Sequence, residues 1–194
     1  MLSALSHLVS RIRSIPAIAC LCLSIFSAPA EATVSQPSQS DVEAVYLFDF
    51  GKFIRWPAGS DQGPMSICVA GAPSFSTGLE KVVANENISG RPLEVRRISR
   101  TEDESGCAIL FIDTTQREHA DELLQAVAGK PTLTVGDVPD FLSHGGMIQF
   151  QLVAKRVRFS VNLDAVNRSH LAISSELLKV AIRVKSHTPE GAAQ

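Results

Sequence analysis

Past residue 30 the chain carries four histidines, His119, His144, His170 and His187, and their spacing serves neither a metal nor a proton relay. No His-x-x-x-His or His-Glu-x-x-His pair puts two imidazoles on one helical face, and there is no Gly-x-Ser-x-Gly elbow and no Walker loop. Asp137, Asp140 and His144 lie close in sequence, where turn and cap roles are the ordinary use of such residues. Gly145-Gly146 reads as a strand-entry turn rather than an oxyanion device. No catalytic set and no cofactor site emerges, so the reading is of a protein that is not an enzyme. What remains is chemistry of recognition. Arg156, Arg158 and Asn162 fall on one face of a strand and could hold a ligand carboxylate or a partner's acid, the alternative being a solvated strand face. Tyr46, Phe53 and Trp56 lie in one helical stretch with the single Tyr and the single Trp of the chain; they either dock that helix or build a groove. Phe141, Phe150 and Phe159 could likewise line an apolar pocket, with core packing as the default.

These residues need elements to hold them, and the cleanest are two period-two runs between Gly145 and Asn162. Ile148, Phe150 and Leu152 alternate with Gln149 and Gln151; after a break at Val153 to Lys155, Val157, Phe159 and Val161 alternate with Arg156, Arg158, Ser160 and Asn162. Two half-buried strands in tandem predict a hairpin, although no Asn-Gly or Asp-Gly marks its turn.

Upstream, Ser40-Asp41-Val42-Glu43 supplies a capping box, and a helix is expected over residues 41–56, its broad apolar face made by Val42, Val45, Tyr46, Phe50, Phe53, Ile54 and Trp56, with Pro57 ending it. A strand over 65–70 leads through Gly71-Ala72-Pro73 to a helix near 75–84; a helix start after such a turn can present N–H groups to an anion, although this turn matches no phosphate loop. Strands follow at 93–98, 108–112 and 132–135, the second fully apolar as for a central strand. Thr114 or Thr115 is expected to cap a helix running through Ala128, and Asp137 to Ser143 to form a short helix or turn. Leu163 to Arg168 should be helical, and Ser174 or Ser175 should cap a last helix to about Val184 with Ile173, Leu177, Leu178, Ala181 and Ile182 inward. Strands alternating with helices predict an α/β fold: a mostly parallel sheet with helices on both faces, Rossmann-like and three-layered, closed by a C-terminal antiparallel hairpin.

The start of the chain differs in kind. Arg11 and Arg13 precede an apolar run from Ile15 to Phe26 and a small-residue exit, Ala28-Pro29-Ala30-Glu31-Ala32, which together describe a secretory signal peptide cleaved after Ala30 or Ala32. The run is shorter than a bilayer span needs and contains Pro16. The expected organisation is a signal peptide (1–30), a flexible leader (31–40), one domain (41–185) and a disordered tail (186–194), with the cleaved protein soluble in the periplasm. Removing both arginines leaves 16 basic against 20 acidic side chains and a net charge of about −4, which argues against nucleic acid or an anionic membrane as partner. Cleavage also removes Cys20 and Cys22, and Cys68 and Cys107 remain. In an oxidising compartment two cysteines most simply pair; two buried thiols or a metal pair are the alternatives.

The pieces now assembled resemble the YfiR family, also called YfiR/HmsC-like. They are Val45 to Pro57 (VYLFDFGKFIRWP), Ile67-Cys68-Val69, Cys107 to Ile112 (CAILFI) and Leu133-Thr134-Val135, then Phe141, Gly145-Gly146-Met147-Ile148, Arg156 to Asn162 (RVRFSVN) and Ile173 to Lys179 (ISSELLK). The resemblance covers about Asp41 to Val184 and implies a periplasmic inhibitor that binds the periplasmic part of a membrane-bound diguanylate cyclase and lowers cyclic-di-GMP synthesis. It further implies sequestration by an outer-membrane lipoprotein, a homodimer, and Cys68 with Cys107 as the family's structural cysteine pair; the second pair that some members carry is missing from the mature chain. A periplasmic small-molecule sensor or carrier is the other reading that the strand and helix order allows.

Overall fold

Strands that read as unbroken apolar runs belong where both faces of a parallel sheet are covered. In the computed structural model, which describes residues 36–60, 63–99 and 105–186, that is the place of β2 (Met65–Ala70), β5 (Cys107–Ile112) and β6 (Leu133–Gly136), every residue of which is buried. The first two share a parallel ladder, and β6 continues it beside β5. On one flank lie β4 (Arg91–Arg97), parallel to β2, and the two-residue β3 (Asn87–Ile88), antiparallel to β4. On the other lie β7 (Ile148–Val153), parallel to β6, then β8 (Arg156–Asn162) and β10 (Arg183–Lys185), giving the order β10-β8-β7-β6-β5-β2-β4-β3. The hairpin is present as expected: β7 and β8 are antiparallel with Phe150 across from Phe159. Its turn uses Ala154 and Lys155, both at positive φ (48° and 62°), the backbone a type I′ turn needs without the residues that favour it. A separate antiparallel pair joins β1 (Ile54–Arg55) to β9 (Ala172–Ile173).

Alternation along the central strands divides the core. Met65, Ile67 and Val69 pack with Ala44, Leu47 and Phe50 of α1 (Gln39–Phe53) and with Phe75 and Leu79 of α2 (Pro73–Val83). Cys68 and Ala70 join a second cluster with Leu123 and Leu124 of α3 (Ala120–Ala126). The fold is thus the expected α/β arrangement, a mostly parallel sheet between helical layers with an antiparallel hairpin near its C-terminal flank. Two short helices, α4 (Leu163–Arg168) and α5 (Ser175–Val180), complete it, the latter capped by Ser174 as expected.

Several boundaries move, each for a local reason. The capping box that forms is Ser38 with Asp41, not Ser40 with Glu43: the Asp41 N–H donates to Ser38 Oγ at 3.2 Å and the Ser38 N–H to Asp41 Oδ2 at 2.9 Å. The helix therefore begins at Gln39, inside the stretch expected to be a flexible leader. It stops at Phe53, three residues before Trp56, because Ile54 and Arg55 pair with β9. Its inward side is Ala44, Leu47, Phe48, Phe50 and Gly51, while Val45 and Phe53, expected inward, are exposed. After β5, the cap is Asp113 rather than Thr114 or Thr115, and a 3₁₀ helix (Thr114–His119) precedes α3. The last helix ends at Val180; Arg183–Lys185 turns into an edge strand, which leaves Ile182 exposed instead of inward. The signal-peptide expectation, His187 and most of the expected tail lie outside the described residues. Among those described, no helix is long and apolar enough to cross a membrane.

Candidate functional site

Cys68 and Cys107 meet across the adjacent parallel strands β2 and β5 and are joined by a disulfide, Cα to Cα 5.7 Å, over a sequence separation of 39. The ladder between these strands shifts register between Ser66 and Ile67, Cys107 pairing with Ser66 and Cys68 with Leu110, and both cysteines are buried in the α3-side core.

The aromatic residues singled out in the sequence divide. Phe50, Phe150 and Phe159 form an interior cluster, with ring centroids 5.0 to 5.7 Å apart around Phe50, and Tyr46 seals it at 5.7 to 5.9 Å from all three. Phe150 is 2% exposed, so it packs the core and offers nothing to a partner. Phe141 is also fully buried, against Gly146, where an added Cβ would come within 2.2 Å of the ring. Phe53 stays on the surface, and Trp56 is partly buried with its indole N–H unpartnered among the described residues.

Of the polar strand face, Arg156 is exposed and Arg158 half-buried opposite Gln151, but Asn162 is not available beside them. It is buried and spent internally: its side-chain oxygen accepts the Ala165 N–H at 3.2 Å, capping α4, and its Nδ2 donates to Leu142 O at 3.1 Å. The strand runs straight into a helix, and the residue at that junction is needed as a cap.

What the structure adds is the flank of the sheet beyond β7. The hairpin tip exposes Leu152 and Val153, and α5 and β10 expose Val180, Ile182 and Val184. β10 covers only Ser160 to Asn162 of β8, and its own outer side has no partner strand among the described residues. Lys155, Arg156, Lys179, Arg183 and Lys185 stand exposed on the same elements, so the flank combines apolar side chains and positive charge with a sheet edge that no described strand covers. The sequence signal was the alternation Ile182-Arg183-Val184-Lys185, which a helical reading of α5 absorbed.

At the carboxyl ends of the parallel strands, where open α/β sheets commonly hold ligands, this chain places its own acids. Asp113 Oδ2 accepts the Ala72 N–H at 2.6 Å and its Oδ1 the Thr115 N–H at 2.8 Å and the Thr115 hydroxyl, so the corner whose N–H groups could have met an anion is filled by a side chain. Gly71 makes room for it: a Cβ there would lie 2.2 Å from that carboxylate. Burial, and then the neighbouring Asp113, raise the pKa of Asp137. Glu43 of α1 is 2% exposed, and burial first of all pushes its carboxyl up to about 7, against the bond it accepts from Gln39 Nε2 at 2.8 Å. The nearby acids Asp137 and Asp113 raise it further. The Asp140 and His144 pair of the sequence does not assemble with Asp137 as a catalytic set: Asp140 O accepts the Ser143 and His144 N–H groups in a turn, and His144 Nδ1 instead meets Asp121 of α3 at 2.7 Å. Among the described residues no three His, Cys, Asp or Glu side chains are placed to hold a metal ion.

Comparison with known proteins adds two kinds of likeness. A family model described as YfiR/HmsC-like matches residues 40–182. Among solved structures, the chain is similar to a conserved domain protein from Vibrio cholerae O1 biovar El Tor, with a TM-score of 0.54 and 14% identity, over 78% of this chain and 62% of that one. It is also similar to the ABC domain in complex with L-Trp from Streptococcus pneumonia, with a TM-score of 0.48 and 13% identity, over 62% of this chain and 55% of that one. The chain therefore spans less than two thirds of either neighbour, and at such identity the first likeness concerns the fold alone.

Proposed function

This chain belongs to the YfiR/HmsC-like family, and from that premise we propose that it is a periplasmic inhibitor of a membrane-bound diguanylate cyclase, acting by contact with the cyclase's periplasmic part. The family is regulatory rather than catalytic, is periplasmic, and works in the context of cyclic-di-GMP. The observation that carries the reading to a surface is the flank formed by the hairpin tip, α5 and β10. A regulator that works by contact needs an interface, and a sheet edge with no partner strand among the described residues, bordered by Leu152, Val180 and Ile182, is suited to strand addition or to packing against an apolar face. The exposed Arg156, Arg183 and Lys185 favour an acidic partner and would steer the encounter. In this reading residues 1–30 are the signal that exports the chain, residues from about Gln39 onward form the regulatory domain, an outer-membrane lipoprotein competes for the inhibitor, and two copies associate as a homodimer.

The test is genetic and direct. In a strain whose cyclase is intact, deleting the gene should raise cyclic-di-GMP and biofilm, wild type should restore both, and Ile182→Asp with Arg183→Glu should fail to restore them while the purified variant keeps its unfolding midpoint. Unchanged cyclic-di-GMP on deletion would refute the inhibitor reading. Full complementation by the doubly substituted protein would refute the choice of surface.

A further inference from the structure

A cleft of about 440 Å3 opens between α3 and the segment that runs from the loop before β7 to the end of α4, and it shares no residue with the sheet flank described above. That volume lies in the range of small-molecule sites. Its apolar wall is Leu124, Val127 and Met147, and its polar lining includes the buried Thr134 and Ser169. Thr134 Oγ1 accepts the Met147 N–H at 3.0 Å, so the hydroxyl keeps its own hydrogen to donate. The acid of the lining, Asp121, is already engaged by His144 Nδ1. Arg168, at the end of α4, has no ion-pair partner among the described residues. Two glycines also border the space. Gly129 and Gly145 take φ of 73° and 98°, and a Cβ on either would meet nothing within 4 Å, so backbone and not side chain borders the space there.

We propose that this cleft binds a small organic anion, its acidic group held by Arg168 and the Thr134 hydroxyl and its apolar body resting on Leu124, Val127 and Met147. A guanidinium presents paired donors that suit a carboxylate, sulfonate or phosphate, and the apolar wall selects for a body that gains from leaving water. The inference stands apart from the cyclase reading, since its readout is binding to the purified protein.

The probe is anilinonaphthalene sulfonate, an aromatic anion, titrated by fluorescence into the purified protein and competed with phenylacetate, phenyl phosphate and benzyl alcohol. We expect saturable binding at one site per chain, displaced by one or both anions and not by the neutral alcohol; which anion displaces it separates a carboxylate from a phosphate ligand. Arg168→Gln should weaken the probe at least tenfold, and Ala128→Trp, which places an indole over the mouth, should abolish it. Both positions are exposed, so the unfolding midpoint should be kept in each. Absence of binding, displacement by the neutral alcohol, or affinity unchanged in Arg168→Gln would overturn the proposal.

Discussion

Replacing Glu43 by Gln should flatten the pH dependence of stability. The carboxyl is 2% exposed and its pKa is pushed from 4.5 up to about 7. Between those values the folded protein holds the proton and the unfolded chain does not, so the contribution is full below the unfolded value and is lost as pH rises through about 7. At 1.36 kcal/mol per unit the whole shift is worth roughly 3 kcal/mol. From about pH 5, where the unfolded carboxyl is already mostly ionised, to about pH 8, the loss is roughly 2.5 kcal/mol. An amide keeps the shape of the side chain and leaves an oxygen to accept from Gln39 Nε2, now 2.8 Å away, but cannot ionise. Urea unfolding of the oxidised protein across that interval should show the parent losing about 2.5 kcal/mol more than Glu43→Gln, with the two stabilities converging at the acid end. Asp137, raised by burial and by Asp113, keeps a slope of the same sign in both proteins, so the comparison is of slopes and not of a slope against zero. Parallel pH profiles would refute the argument, because they would mean that Glu43 meets the same environment folded and unfolded.

Three other outcomes follow from the packing. Cys68→Ser and Cys107→Ser should each lower stability by about 4 kcal/mol in the chain-entropy account of a loop this size, and the double variant should be no worse than either; additive losses in denaturant unfolding would mean that the two do not pair. Phe50→Ala should cost about 3–5 kcal/mol, since the ring is fully buried among Tyr46, Phe150 and Phe159, whereas Phe53→Ala on the outer side of the same helix should cost about 0.5 kcal/mol or less; calorimetry that found equal losses would contradict the assigned faces. Ala154→Asn combined with Lys155→Gly should stabilise by about 1 kcal/mol, because both positions already sit at positive φ; a loss would show that the turn is not the type I′ geometry inferred.

The sheet's strong strands were legible because their signals are local. Met65–Ala70 and Cys107–Ile112 are apolar on both faces, and the hairpin strands alternate cleanly, so period alone finds them. The elements that escaped, β1, β3, β9 and β10, have two or three residues each and exist only through their partners. Ile54 and Arg55 continue a helical pattern in sequence and leave it only because Ala172 and Ile173 arrive from the far end of the chain. Glu43 shows the same limit in a single side chain. Its place after Ser40 suggested a capping box on the surface, and only the tertiary fold shows that the helix begins earlier and draws the carboxyl inside. Period two sets Arg156, exposed in the fold, and Arg158, half-buried, on one strand face with Asn162, but the burial of Asn162 depends on the helix that follows it.

The pairing of β1 with β9, reinforced by the bond from the Ser174 N–H to Phe53 O at 2.9 Å, orders events in time. The first helix among the described residues is completed by residues made much later: Phe50 waits for Phe150 and Phe159, and Ile54 at its end for Ile173. Contacts this distant in sequence slow folding, because a long chain must be closed before they return any free energy. A nascent chain stalled before Phe150 would lack the cover that Phe150 and Phe159 give to Phe50 and that β9 gives to Ile54, and would expose apolar surface that a holding chaperone could bind. Under the export proposed above, late closure of α1 is the state in which threading through a translocon remains possible.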